Sequence, residues 1–348
     1  MEELAKITIK EVSIRAGVSI SAVSMVINQK KGIGEETRQR VLKAIEDLNY
    51  TPNRFAQGLI TNKTNMINVV IAANEYNDLI NPFFIEIINQ VSFHLQATPY
   101  KLLLNVIRQK DEEAYYRSEL EQPSADGYLI CGSRLESDFF VPYMREQELP
   151  LLIINRQLVP EPLSSVSPDN FKGSYLITRH LIDLGHKDIA FIGKMNKVNA
   201  PELREQGYCY AMKESGLTVR EEWIMASSYD QKSGYDGFLQ LWKRCLAEGK
   251  CPSAVVAGND STALGVIEAA RELGLRIPED LSLTGFDGIP NLHLLDPPLT
   301  TIQIDFKDMG LKIVEKITKM LNGLTQPEQI LVGVQVKERR SALLLPQS

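Results

Sequence analysis

The spacing of apolar residues changes once along this chain. Up to about residue 50, apolar residues recur at helical spacing in three short segments, which begin near Ile9, Ser19 and Glu35. After Thr64, short β-rich runs alternate with amphipathic stretches of roughly 10–16 residues. This change of period predicts a small helical domain followed by a large α/β body.

The body contains at least eight strand-like runs with helical stretches between them. We expect strands at 67–72, 101–107, 127–130, 151–154, 189–192, 223–225, 254–256 and 281–284, and helices at 83–95, 175–184, 203–215 and 261–273. Alternation of strand and helix is typical of parallel sheets covered by helices on both faces. The pattern therefore predicts two doubly wound subdomains, with a ligand in the cleft at the carboxyl ends of their strands.

The amino-terminal segment has the pattern of a helix-turn-helix. Thr8 and Glu11 fit a capping box at the start of the first helix, and Gly17 fits the sharp turn at its end. Ser19 would then cap a second helix that runs to about Ile27 and would lie in the major groove of DNA. A third helix at about 35–48 would close the bundle with Val41, Leu42, Ile45 and Leu48. From spacing alone, any small three-helix domain with a basic face remains the alternative.

Charge is distributed unevenly along the 348 residues, a length that itself indicates more than one domain. Residues 4–64 contain ten Lys and Arg against five Asp and Glu, a net charge of +5 within a chain of net charge −6. The rest of the chain therefore carries −11. A small basic module attached to an acidic body is typical of a DNA-binding protein whose larger part has another task.

Several classes of protein are disfavoured. No apolar run reaches the roughly 18 residues of a membrane span, and the acidic start is unlike a signal peptide, so we expect a cytoplasmic protein without a membrane partner. We find no phosphate-binding loop, nucleophile elbow or HExxH motif, and therefore expect no enzyme, no catalytic residues and no cofactor. The cysteines have no CxxC spacing and no histidine at ligand spacing, which predicts free thiols and no metal: Cys131, Cys209, Cys245 and Cys251.

Short sequence motifs in the amino-terminal segment are more specific evidence of its family than the spacing of its apolar residues. They are Ala16-Gly17-Val18-Ser19, Ala22-Val23-Ser24, Val26-Ile27-Asn28, Thr37-Arg38 and Leu48-Asn49-Tyr50-Thr51-Pro52-Asn53-Arg54. These motifs closely resemble those of the lactose-repressor (LacI/GalR) family of bacterial transcription factors. The resemblance implies a headpiece at 1–51, a hinge helix at 52–64 and an effector-binding, dimerising body at 65–348.

The resemblance implies which headpiece residues contact DNA. Ile20, Ser21 and Met25 occupy the base-reading positions of the second helix. The positions that contact phosphates hold Ser19, Ser24, Asn28 and Thr37, and further DNA contacts are implied for Thr8, Tyr50, Asn53 and Arg54. The family commonly has Arg where this chain has Met25, so we expect a different preferred base there, because a thioether offers only apolar contact.

The hinge should fold only when it is docked on DNA. A helix of roughly nine residues from Asn53 is too short to be stable alone in water. In the family, paired hinge helices insert a leucine into the minor groove at the operator centre, and Leu59 stands at that position with Ala56 beside it. An ordinary interdomain contact is the alternative role for Leu59.

The body also resembles this family, whose effector domain has the type I periplasmic sugar-binding fold. The phrases that carry the resemblance are Asn81-Pro82-Phe83-Phe84, Asp126-Gly127, Leu184-Gly185-His186, Ala257-Gly258-Asn259-Asp260, Gly285-Phe286-Asp287 and Pro297-Pro298-Leu299-Thr300-Thr301-Ile302. It implies an effector pocket in which Arg204, Asn259 and Asp287 bind hydroxyl groups. The other implied pocket residues are Asn155, Tyr229, Phe306, Phe83 and Phe84. Helix capping is the alternative role for Asn259, and core packing is the alternative for Tyr229 and Phe306.

The implied function is a repressor of carbohydrate-utilisation genes that binds double-stranded DNA at a pseudo-palindromic operator and responds to a sugar-like effector. We expect a homodimer, because the stretch after Ile330 contains no leucine heptad helix of the kind that makes the lactose repressor tetrameric. The alternative is the same regulator controlled by a protein co-regulator or by a non-sugar metabolite.

Overall fold

The computed structural model describes residues 7–27, 32–50, 63–73, 81–132, 149–157, 163–196, 198–324 and 326–345. Contacts within the chain divide it into two compact units, residues 1–64 and residues 65–348.

In the part of the first unit that the structure describes, the helices are α1 (Ile9–Ala16), α2 (Ile20–Ile27) and α3 (Glu35–Asp47). The Thr8 N–H donates to the Glu11 carboxylate over 2.6 Å, and Gly17 ends α1 in the left-handed conformation at φ 63°. The Ala22 N–H donates to the Ser19 hydroxyl over 3.2 Å. The predicted capping box, glycine turn and serine cap are therefore confirmed. The core is formed by Val12, Ala16, Val23, Val26, Val41 and Ala44.

The prediction that Leu42 packs in the core of the headpiece is wrong. Leu42 is 47% exposed, whereas its neighbour Val41 is fully buried. Successive helical residues differ by about 100° in direction, so only one of two adjacent residues can face the core squarely. Val41, Ala44, Ile45 and Leu48 form the inward stripe, and Leu42 lies beside it.

The second unit contains two six-stranded sheets. The first sheet has the order β11-β5-β4-β3-β1-β2, and all its pairs are parallel. Its strands are β1 (Met66–Ala73), β2 (Lys101–Arg108), β3 (Gly127–Cys131), β4 (Leu151–Ile154), β5 (Ser164–Pro168) and β11 (Gln329–Val332). The helices that follow along this half are α4 (Pro82–Leu95) and α5 (Glu112–Glu121).

The second sheet has the order β12-β10-β9-β8-β6-β7, and only its pairing of β10 with β12 is antiparallel. Its strands are β6 (Ile189–Lys194), β7 (Ile224–Ala226), β8 (Ala254–Ala257), β9 (Ser282–Asp287), β10 (Thr300–Ile304) and β12 (Val334–Lys337). The described residues of this unit also form the α-helices α6 (Asn170–Asp183), α7 (Asn199–Glu214), α8 (Gln231–Glu248), α9 (Asp260–Glu272) and α10 (Phe306–Leu321).

The chain passes between the two sheets three times: after β5, after β10, and between β11 and β12. Consequently α10 follows a strand of the second sheet but packs against α4 and the first sheet. Each subdomain is thus built from separated segments, and the predicted pair of doubly wound parallel-sheet subdomains is confirmed.

The largest differences from the predicted elements lie at these crossings. Strands β5, β10, β11 and β12 and helix α10 were not predicted. The expected strand at 223–225 is shifted, because Trp223 ends a 3₁₀ turn and the strand begins at Ile224. Helix α6 begins at Asn170, five residues before the predicted start, and α7 begins at Asn199, four residues early.

Candidate functional site

One face of α2 presents the predicted base-reading residues. Ile20 and Ser21 are exposed, and Ser24 and Met25 are half-buried, whereas Val23 and Val26 on the opposite side are in the core. At about 100° per residue, the four surface residues fall within an arc of about 140°. The helix therefore presents one continuous small and apolar surface of the width that a major groove admits.

Other predicted DNA contacts lie around this helix. The Ser19 hydroxyl caps α2 and lies 2.9 Å from the Ser21 hydroxyl, and Thr37 is half-buried at the start of α3. Thr8 begins α1, and the Tyr50 N–H donates to the Ile45 carbonyl over 2.9 Å. The remaining predicted contacts lie outside the described residues: Asn28, Asn53, Arg54, Ala56 and Leu59.

Arg204 is the centre of a buried polar network in the second unit. Its Nη2 donates to Asp287 Oδ1 over 3.1 Å, its Nη1 to the Gly258 carbonyl over 2.7 Å, and its Nε to Asn170 Oδ1 over 2.8 Å. Its guanidinium carbon lies 3.7 Å from the centre of the Phe286 ring. The side chains of Arg204 and Asp287 are only 3% and 4% exposed, so the charge pair is held away from solvent.

Asn170 connects this network to the first subdomain. It is fully buried at the first residue of α6, directly after the crossing from β5. Its Nδ2 lies 3.3 Å from Gln157 Oε1 and 3.4 Å from Asn155 Oδ1, both just beyond the end of β4. A chain of hydrogen bonds therefore runs from β4 in one subdomain to β9 in the other. Movement of one subdomain against the other must change these bonds.

Asn259 is occupied by structural hydrogen bonds. Its Oδ1 accepts the Thr262 N–H over 2.9 Å, which caps α9, and its Nδ2 donates to the Tyr229 carbonyl over 3.0 Å. It also bonds to Asp287, which lowers the pKa of that carboxyl. The capping role that the sequence left open is therefore present, and Asn259 shapes the site by holding Tyr229 and Asp287.

Tyr229 offers a polar atom without a partner among the described residues. Its buried hydroxyl makes no hydrogen bond there, and its ring lies 5.6 Å from the Arg204 guanidinium carbon. A Cβ placed on Gly258 would lie 3.0 Å from this hydroxyl, so the absence of a side chain at Gly258 is what lets the ring approach the end of β8. An unsatisfied buried hydroxyl costs about 1–3 kcal/mol, which a ligand hydroxyl or carbonyl could recover.

Three of the candidate site residues have positive φ angles, which side chains rarely adopt: Asn155 at 59°, Tyr229 at 66° and Asp287 at 114°. Such backbone conformations cost about 1–3 kcal/mol and concentrate at ligand sites, where the surrounding structure enforces them. Asn155 directly follows β4, Asp287 is the last residue of β9, and Tyr229 lies three residues beyond the end of β7. Half of the positive-φ non-glycine residues in the described ranges therefore lie at this site, and the others are Asn49, Asn65 and Asn291.

Burial dominates the electrostatics of the two carboxyl groups. It raises the pKa of Asp287 to about 6, although Arg204 and Asn259 oppose the rise. Burial and the charge of Asp287 raise the pKa of Asp260 to about 8, against hydrogen bonds from Thr301, Gly288 and Ile289. Burial also raises the pKa of the Tyr229 hydroxyl, which keeps it a neutral donor.

The predicted phenylalanines occupy two different environments. Phe83 and Phe306 are buried in the hydrophobic core with their ring centres 5.7 Å apart, so a ligand could reach only a small part of either. Phe84 is half-buried, and its ring lies 3.4 Å from the position of a Cβ on Gly132, at the carboxyl end of β3. Phe84 is therefore the phenylalanine best placed at the strand ends of the first subdomain.

Four residues of this site were not predicted from the sequence: Asn170, Gln157, Phe286 and Asp260. Phe286 and Asp260 lie inside phrases that carried the resemblance, beside residues that were selected, so their position was a usable signal. Asn170 and Gln157 gave no such signal, because only the folded chain brings them to Arg204.

Each of the two units matches a known protein family. Residues 8–53 match the family model described as bacterial regulatory proteins, lacI family, and residues 178–342 match the periplasmic binding protein-like domain. The HTH-type transcriptional repressor PurR of Pasteurella multocida is 33% identical over 326 residues, which are 93% of this chain and 95% of that protein. The chain belongs to the LacI family. The predicted family and fold are thus confirmed, and the chain is a DNA-binding transcriptional regulator.

Solved LacI-family structures match along nearly the whole chain. A CelR–cellobiose complex has a TM-score of 0.74 at 27% identity, and a lac repressor dimer bound to operator and the anti-inducer ONPF has a TM-score of 0.80 at 25% identity. Each alignment covers 97% of this chain and 100% of the other. The fold of this chain is therefore similar to that of a regulator described with cellobiose and of a repressor described on its operator.

Within the described ranges, no helix is long and apolar enough to cross a membrane. Nor do those residues contain a group of three or more His, Cys, Asp or Glu side chains arranged to hold a metal ion.

Proposed function

We propose that this LacI-family protein represses carbohydrate-utilisation genes in the cytoplasm and is switched by a small sugar-like effector. The observation that carries the proposal is the network of Arg204, Asp287 and Asn170 beside the Tyr229 hydroxyl, which has no hydrogen-bond partner in the described ranges. It joins paired donors and acceptors to aromatic surfaces at the place where two subdomains meet. Such a combination is suited to a ring with vicinal hydroxyl groups.

The charges of the site favour a neutral ligand. Arg204 is already paired with Asp287, and the second buried carboxyl group, Asp260, is bonded to the two amides that follow Asp287. Within this network one cation therefore faces two carboxyl groups. An acidic ligand would meet no free charge on Arg204, whereas a neutral polyol could bond to Asp287 and Tyr229. Among the similar proteins, CelR is described in complex with cellobiose, a neutral sugar.

The effector would act by favouring one arrangement of the two subdomains over another. The bonds from Asn170 to Asn155 and Gln157 span the crossing, so a ligand that competes for them has different affinities for two subdomain arrangements. A ligand can shift an equilibrium only by such a difference in affinity. The same difference would change the affinity for DNA by linkage.

A homodimer would place two recognition helices on a pseudo-palindromic operator. Apolar side chains are exposed on α4 and on β2, the edge strand of the first sheet: Ile85 at 41%, Phe93 at 62% and Leu104 at 42%. An exposed apolar edge strand invites pairing unless it is covered. We assign this surface to a second copy of the chain, as a similar lac repressor is described as a dimer on its operator.

The test is a thermal-shift panel of neutral mono- and disaccharides, sugar phosphates and nucleobases, the last because aromatic walls also stack on planar rings. A neutral sugar should raise the melting temperature by mass action, and Tyr229→Phe and Asp287→Asn should diminish the rise. Tyr235→Phe is the matched control, because its hydroxyl bonds to Glu272 outside the network. A response confined to phosphorylated sugars or to nucleobases would contradict the proposed effector class. A flat panel with intact operator binding would favour a protein co-regulator.

A further inference from the structure

Two of the four cysteines lie together at one end of the second subdomain. Cys245 is fully buried in the last turn of α8, and the half-buried Cys251 packs against the same hydrophobic cluster. Between them Gly249 adopts φ 70°, which reverses the chain at the end of the helix. The Lys250 N–H then donates back to the Cys245 carbonyl over 3.1 Å. This turn returns the chain to the side of Cys245.

The two thiols affect each other's ionisation. Cys251 raises the pKa of Cys245, and Cys245 lowers that of Cys251. The other two cysteines belong to a different cluster: Cys131 is buried in it and Cys209 packs against it. Cys245 and Cys251 therefore share one hydrophobic cluster, which contains neither of the other two cysteines.

We propose that Cys245 and Cys251 are a redox-responsive pair that closes to a disulfide in the presence of a hydroperoxide. Intracellular disulfides are usually transient, and a pair kept reduced under ordinary conditions fits that pattern. Burial raises the pKa of both thiols, that of Cys245 to about 11, so both thiols are mainly protonated at neutral pH and react slowly. Nearby charges are nearly balanced, since Arg244 lowers and Glu248 raises the pKa of Cys245, and the Lys250 ammonium is paired with Asp188 over 2.7 Å.

The more accessible Cys251 is the attacking group. Its thiolate attacks one oxygen of the hydroperoxide, so an S–O bond forms, the O–O bond breaks, and the second oxygen leaves with the proton as an alcohol or water. The Cys245 sulfur then attacks the Cys251 sulfenic acid. The S–S bond forms, the S–O bond breaks, and hydroxide leaves with the Cys245 proton as water. The two sulfurs lose two electrons, and the peroxide gains them.

A bond between these residues would tie together two elements that reach the candidate effector site. Helix α8 begins at the cap Asp230, next to Tyr229, and β8 ends beside Gly258 and Asn259. The cysteines lie at the opposite ends of these two elements. A crosslink would therefore restrain α8 against β8 without touching the site itself.

The experiment is a peptide map of the full-length protein treated with hydrogen peroxide. Trypsin cuts after Arg244 and Lys250, so the two cysteines fall on peptides 245–250 and 251–271. The expected result is one crosslinked species that separates into these peptides on reduction, with Cys131 and Cys209 still alkylatable. The rate should rise about tenfold per pH unit below the pKa of Cys251, because the thiolate is the attacking form.

Variants give the matched controls. In Cys251→Ser the crosslink should vanish, and in the double variant Cys131→Ser/Cys209→Ser oxidation should consume every remaining thiol without dimer formation. Crosslinks to other cysteines, bonds between chains, or sulfinic acid on Cys251 with Cys245 still free would each overturn the proposal. The wild-type map decides the question even if a variant folds poorly.

Discussion

Replacing Arg204 by methionine tests the buried charge pair. Methionine retains an unbranched apolar stem but removes the cation, which leaves Asp287 with a side chain only 4% exposed and without its 3.1 Å partner. Removing one member of a buried ion pair costs about 3–5 kcal/mol, because the remaining charge stays desolvated. The lost bonds to Asn170 and Gly258 add to the same effect. We therefore expect the free energy of unfolding of the body to fall by about 3–5 kcal/mol at pH 8.

The loss should depend on pH with a defined sign. Burial already raises the pKa of Asp287 to about 6 with Arg204 present, and without that cation the pKa is higher still. A carboxyl group whose pKa is raised on folding contributes stability at low pH, and this contribution is lost as the pH rises through the folded-state pKa. The cost of Arg204→Met should therefore be smaller at pH 5.5 than at pH 8.

Urea unfolding followed by tryptophan fluorescence measures this change in the body alone. The chain has two tryptophans, and both Trp223 and Trp242 pack in the cluster of the second subdomain. The double variant Arg204→Met/Asp287→Asn should recover part of the loss, since no buried charge is then left alone. Arg276→Met removes one partner of an exposed pair and should cost far less. A loss below about 1 kcal/mol, or one that is equal at both pH values, would refute the reasoning.

Three further predictions concern other parts of the chain. Gly258→Ala places a methyl group 2.8 Å from the Gly193 Cα and 3.0 Å from the Tyr229 hydroxyl, and calorimetry should show a lower melting temperature together with a weaker ligand-induced shift; unchanged values would contradict both close approaches. Glu11→Ala removes the 2.6 Å bond to the Thr8 N–H and should destabilise the headpiece by about 1 kcal/mol, measured by circular dichroism of the wild type and variant. Met25→Arg should shift an operator selection toward guanine at one base pair by about 1–3 kcal/mol; identical selected sequences would show that this residue does not read that base.

The predictable part of the fold follows local periodicity. The strand at 151–154 was predicted with its observed bounds, and α2 ends at Ile27 as its serine cap and apolar spacing indicated. Strand β5 was missed because its sequence, Ser-Ser-Val-Ser-Pro, reads as a polar loop, yet its serines are buried. Hydrogen bonds such as that from the Glu328 N–H to the Ser164 hydroxyl satisfy them, and those partners are 164 residues apart in the chain.

The sequence predicted which residues form the candidate site more fully than it predicted what each residue does there. Arg204 and Asp287 meet as the resemblance implied, but Asn259 is occupied in capping α9 and holding Tyr229. Asn170 was missed because its importance depends on the crossing after β5, which brings it to Arg204. A pattern in one sequence records neighbours along the chain, whereas these contacts are set by the sheet topology.

If a ligand in the cleft controls DNA binding, operator affinity must differ with and without that ligand, and measuring both is the most direct test. An operator obtained by selection would be titrated with the full-length protein, using the panel compound that raises the melting temperature most. We expect a pseudo-palindromic operator whose dissociation constant changes at least tenfold, about 1.4 kcal/mol of coupling, at saturating ligand, and a smaller change in Asp287→Asn. The same dissociation constant with and without saturating ligand would contradict the account.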